Sequence, residues 1–152
     1  MIQRIQTLYL LAVVALGIAL IWLPVVQLVT PEDATELQVW ELSALGGAPI
    51  QGIWGLLVTT LLIPILALVD IFLYNKRLVQ ARLNIFTVML CLGYYGVLAM
   101  YIWLAKMSLG VEWHILPYAS FPLVCMILTL MATRRILKDE ALVRAADRIR
   151  YV

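Results

Sequence analysis

Apolar residues fill four long stretches of this chain, about residues 7–28, 52–74, 83–105 and 116–133, and polar or charged residues gather between and after them. Each stretch is close to the roughly 20 residues that a helix needs to cross a bilayer core. The pattern predicts an all-α membrane protein: four transmembrane helices in an antiparallel bundle, residues 1–133, followed by a cytoplasmic, charged helical tail, residues 134–152. The first stretch lacks the short apolar core and small-residue cleavage site of a secretory signal and reads as an uncleaved anchor. Ala12, Ala15 and Ala19 give it one side of small residues where another helix can approach.

Residues 29–51 form the first outer loop. Thr30-Pro31-Glu32-Asp33 has the residues of a helix start, with Thr as N-cap, Pro in the first turn and acids near the positive end of the dipole. Gly46-Gly47 and Pro49 then break the chain, and Val39, Trp40 and Leu42 suit a small cap resting on the membrane. Pro64 is expected to kink the second span. The connector 75–82 carries Lys76, Arg77 and Arg82 and no acid, and 106–115 makes a short second outer loop. Pro117 and Pro122 mark the start of the last span. No Gly or Pro follows from Leu123 to Val152, so the helix continues from the membrane into the tail.

Composition agrees. The hydrophobic fraction is 64% and the charged fraction 13%, against roughly a quarter charged in soluble domains. The net charge of +2 matters less than its placement: one cation precedes the first span, three lie in the connector and six in the tail, against Lys106 alone in the outer loops. Short-loop Lys and Arg stay in the cytoplasm, which puts both termini there. Trp22, Trp40, Trp54, Trp103 and Trp113 fall at the opposite ends and form a one-sided aromatic belt. The cations trace no polar groove with interleaved aromatics, so nucleic-acid binding has no support.

Little here points to chemistry. Asp70 is the one ionisable residue within a span and is the candidate functional polar group. Its place one turn before Tyr74 predicts an interfacial acid that meets Lys76, Arg77 or Arg82, or headgroup water. His114 reads as an exposed loop residue. Cys91 and Cys125, at similar depth on neighbouring spans, read as packing residues. Gly93-Tyr94-Tyr95-Gly96 reads as a helix-packing site, with a small lipid or quinone pocket as the sharper alternative. No nucleophile–base pair, metal cluster or phosphate loop stands out, so no cofactor is expected. In the tail, Glu140–Arg144 and Arg144–Asp147 make helical ion pairs, and Leu142, Ala146 and Ile149 form an apolar stripe. The tail reads as a solvated helix anchored by its cations at the headgroups, with a docking element for a protein partner as the sharper alternative.

The opening Met1-Ile2-Gln3-Arg4-Ile5-Gln6-Thr7-Leu8-Tyr9-Leu10-Leu11 and the tail from Arg135 to Arg150 resemble a family of bacterial four-span membrane proteins, catalogued as a domain of unknown function (number 4293). The resemblance implies a bacterial inner-membrane protein and brings no catalytic residues with it. The reading is a non-enzymatic accessory, scaffold or assembly component of an envelope complex, with the bilayer and other membrane proteins, or a second copy, as partners. The alternatives are a small oligomeric transporter or channel using Asp70, and a lipid- or quinone-handling protein.

Overall fold

A computed structural model of the chain describes residues 3–29, 34–38, 53–73, 76–109 and 112–150. Helix α1 spans Gln3–Trp22 and stops where Leu23 meets Pro24, because a residue preceding proline is pushed out of the helical region. The first span is therefore shorter than the predicted 7–28. Pro24–Val29, rich in β-branched side chains, forms strand β1 instead. It is the centre of a three-stranded sheet, paired antiparallel with β2, Ala34–Gln38, on one side and with β3, Glu112–Ile115, on the other. The all-α class describes the membrane part; the sheet is an addition to it. The expected helix after Thr30 is corrected by β2, whose pairing with β1 outweighs the local cap signal. Trp40, the expected surface cap around Val39 and Leu42, and the break at Gly46-Gly47 and Pro49 lie outside the described residues.

Helix α2 spans Ile53–Phe72 and runs through Pro64, α3 spans Arg77–Leu109, and α4 spans Phe121–Arg150 after a single 3₁₀ turn at Pro117–Ser120. Most of the predicted basic connector is thus already helix, because Gln80 N–H reaches Lys76 O and closes the first turn of α3 there. As predicted, α4 is unbroken from the last apolar run into the tail. Among the described residues, four helices are long and apolar enough to cross a membrane. They pack in a ring, α1 against α2 and α4, and α3 against α2 and α4.

The buried positions repeat in steps of three and four. The repeat runs through Gln6, Leu10, Val13, Gly17 and Leu20 on α1; Leu56, Thr60, Ile63, Ala67 and Asp70 on α2; Gln80, Asn84, Thr87, Cys91, Tyr94, Leu98 and Tyr101 on α3; and Cys125, Thr129, Ala132 and Ile136 on α4, with Pro64, Ala81, Pro122 and Thr133 buried beside it. A mean step of about 3.5 keeps one seam of each helix facing its neighbours, as in coiled coils. The large apolar side chains between these positions, such as Leu8, Leu11, Phe72, Phe86 and Met89, face outward.

The seam divides into layers. Near the sheet, Leu20, Leu56, Tyr94, Leu98, Tyr101 and Ala119 enclose Val25 and Val26 of β1, so the sheet closes that end of the bundle. Trp22 and Trp103 are exposed at this end, whereas Trp113 packs against this core with its indole N–H buried and unpartnered instead of joining a headgroup belt. The middle layer holds Val13, Ile63, Ala67, Cys91 and Cys125, which places the two cysteines together as their depth implied. One close approach between α1 and α2 is at a glycine. Ala15 is exposed, whereas a Cβ added to Gly17 would meet Pro64 Cδ at 2.9 Å, Cβ at 3.1 Å and Cγ at 3.2 Å. Gly93 and Gly96 face open space instead of a neighbouring helix, with nothing within 4 Å of an added Cβ.

These contrasting glycines allow a matched test. Gly17→Ala forces a methyl into a rigid proline ring and is expected to cost about 1–3 kcal/mol. Gly96→Ala adds helix propensity without a clash and is expected to gain up to about 1 kcal/mol. Unfolding of both variants in the same detergent checks the pair; equal effects would mean that Gly17 does not set the α1–α2 approach.

Candidate functional site

At the end of the bundle away from the sheet, the seam turns polar: Gln6, Asp70, Gln80, Asn84, Thr87 and Thr133 are all buried. Asp70 lies on the last turn of α2, and the seam spacing aims it inward, so its exposure is 0%. Asn84 and Gln80 face its carboxyl from α3. Gln80 Nε2 donates to the Asp70 backbone carbonyl at 3.1 Å, tying the start of α3 to the end of α2. Both amides lie close enough to act on the carboxyl, but their contacts fall short of full hydrogen-bond geometry, so Asp70 Oδ1, Asp70 Oδ2 and Asn84 Nδ2 are imperfectly paired.

This corrects the expected surroundings of Asp70. No described cation lies within ion-pair distance of it, and the single described ion pair is Arg144–Glu140. Lys76 and Arg82 are exposed. They sit on the outer faces of the chain, where water and headgroups solvate them better than the seam does. Two acceptors and one donor, buried and imperfectly paired, are a costly arrangement in any protein interior. Such an arrangement can hold a small group that donates to the carboxyl and accepts from the amide.

The threonines add no further polarity to this site. Thr60, Thr87, Thr129 and Thr133 each return their hydroxyl to the carbonyl four residues earlier on their own helix, at 2.7–3.0 Å. Gln6 Nε2 donates to Asp139 Oδ2 at 2.8 Å and fastens α1 to α4 where the tail begins. Tyr95 joins α3 to the start of α4. Its hydroxyl donates to Ala119 O at 2.9 Å and accepts from Leu123 N–H at 3.0 Å, satisfying a free donor in the first turn of that helix. Tyr94 is buried beside it with its hydroxyl unpartnered. Thus Gly93-Tyr94-Tyr95-Gly96 serves the α3–α4 contact through its tyrosines rather than its glycines. His114 is exposed on β3.

In the tail, Arg144 Nε meets Glu140 Oε1 at 3.0 Å, the expected i,i+4 pair. Leu142 and Ala146 are exposed and face none of the other helices. Asp147 and Ile149 belong to α4, but their side chains are outside the described residues. The structure does not bring Asp70 and the tail stripe together; they are separate features. Asn84 and Gln80, not singled out in the sequence, were legible as polar residues four apart leading an apolar run, a spacing that puts both on one helix face.

Four apolar helices of spanning length with a polar inner seam define a multi-pass membrane protein. The family model described as "Domain of unknown function (DUF4293)" matches residues 2–149, and the chain belongs to that family. No curated protein and no solved structure matches it significantly.

Asp70→Asn keeps the shape and supplies a donor, so it is expected to stabilise the purified protein by about 1–2 kcal/mol in detergent unfolding. A loss of similar size would mean that the carboxyl group is held by a cation or by another polar partner.

Proposed function

We propose that this protein is a non-enzymatic component of a bacterial inner membrane that scaffolds or helps assemble an envelope complex, docking a partner through its C-terminal helix. The observation that carries this reading is the length and exposure of α4. Its 30 residues amount to about 45 Å of helix, beyond the ~30 Å of a hydrocarbon core. Every residue from Ala141 to Ala146 on it is exposed. A helix presenting Leu142 at 57% and Val143 at 44% exposure, stiffened by Glu140–Arg144, has the character of a docking element rather than of a solvated end. The cation asymmetry supports antiparallel helices with both termini in the cytoplasm.

A second reading, a small oligomeric transporter, draws on the buried, imperfectly paired carboxyl of Asp70. It predicts ion flux in liposomes that Asp70→Asn abolishes, whereas the scaffold predicts none.

Two measurements test the main reading. Reporter fusions after Gln80 and after Val152 are expected to read cytoplasmic, and one at Gly47 external. An external signal after Val152 would defeat this topology. Leu142→Glu combined with Ile149→Glu is expected to leave insertion intact while removing a partner from complexes kept in mild detergent, as read by native gel and mass spectrometry. Unchanged complexes would reduce the tail to an anchor.

A further inference from the structure

A cleft of about 380 Å³ opens between the start of α3 and the far part of α4, lined by Lys76, Arg77, Leu78, Val79, Glu140 and Val143. Its level follows from where the apolar runs stop. That of α2 ends at Phe72 and that of α3 begins just after Arg77, while Glu140 and Val143 lie about two to three turns past the last apolar run of α4, level with the start of α1 through the Gln6–Asp139 bond. The cleft therefore sits where hydrocarbon gives way to headgroups. Its lining is divided in the same way, with Leu78, Val79 and Val143 each 41–47% exposed as an apolar side and Lys76 and Arg77 as a cationic one.

The charges do not cancel. Glu140 is occupied by Arg144 at 3.0 Å, and no described acid lies within ion-pair distance of Lys76 or Arg77. Two cations with no acid partner among the described residues, beside exposed apolar side chains in a recess between helices at headgroup depth, complement one kind of molecule: an amphiphile with an anionic head. We infer that this cleft binds an anionic phospholipid, its phosphate between Lys76 and Arg77 and the start of its acyl chains over Leu78, Val79 and Val143. The inference is independent of the partner docked by Leu142, which lies outside the cleft lining.

The test counts lipids carried by the intact protein. Purified protein in nanodiscs of equal phosphatidylglycerol and phosphatidylcholine is released into detergent, and native mass spectrometry reads the lipid retained. The wild-type chain is expected to keep one phosphatidylglycerol and to prefer it over phosphatidylcholine by about tenfold or more, the size expected for two cations at a membrane surface. Lys76→Gln with Arg77→Gln is expected to lose that preference. Val143→Trp, which fills the cleft with both cations intact, is expected to lose the bound lipid as well. Arg134→Gln with Arg135→Gln removes the same charge from exposed positions outside the cleft and is expected to keep it. Equal loss in this last variant would show diffuse attraction and overturn the site. Displacement of the lipid by millimolar inorganic phosphate would mark a simple anion site and overturn the lipid assignment. Unfolding in detergent confirms that each variant is folded, and retention by folded Val143→Trp would also count against the cleft.

Discussion

Contact between α1 and α2 at Gly17 and Pro64 is the constraint on which the rest of the bundle depends. In water, burying leucine drives helices together; in a bilayer the lipid tails solvate leucine as well as another helix does. What holds membrane helices is close fit and the pairing of polar groups. Pro64 cannot donate to the carbonyl of Thr60 and carries a rigid ring. Only a residue without a side chain lets α1 lie against that ring, with a prospective Cβ already 2.9 Å from it. This approach sets the rotation of α1 and α2 about their axes and so decides which positions of each become seam.

Once the seam is set, its two ends are held in different ways. Toward the sheet it is apolar and crowded, and β1 inserts Val25 and Val26 into the core formed by Leu20, Leu56, Tyr94 and Leu98. The Val25 carbonyl also accepts from Leu116 N–H at 3.1 Å, so β1 is joined both to β3 and to the approach of α4. Tyr95 completes the connection by satisfying Leu123 N–H. Irregular backbone at this depth is tolerable because its polar groups find partners within the protein.

The opposite end is held by polar contacts, Gln6 to Asp139 and Gln80 to the Asp70 carbonyl. The same spacing that recruits these contacts also carries the Asp70 side chain inward, away from the cations that follow it in sequence. Its imperfectly paired carboxyl oxygens are thus a consequence of helix rotation: a residue on the seam of α2 cannot turn toward Lys76 or Arg82 without taking Ile63 and Ala67 with it.

The sequence by itself determined the number of helices long and apolar enough to cross a membrane, the unbroken passage of α4 into the tail and the Glu140–Arg144 pair. All three depend on local properties: run length, the absence of Gly and Pro, and i,i+4 spacing. It did not reveal the sheet, since β1 and β3 lie more than eighty residues apart and pairing over that distance leaves no local trace beyond the stop at Leu23-Pro24. Nor did it reveal which faces pack. Lipid and protein neighbours favour the same apolar side chains, so the periodicity that exposes the core of a soluble helix is muted here. Gly17 was not singled out among the small residues of α1, because its role depends on Pro64 across the interface. Asp70 was legible as the exceptional residue of the spans. Its surroundings were decided only by the tertiary structure, which rotated it toward Asn84 and Gln80 instead of leaving it among the basic residues next to it in the chain.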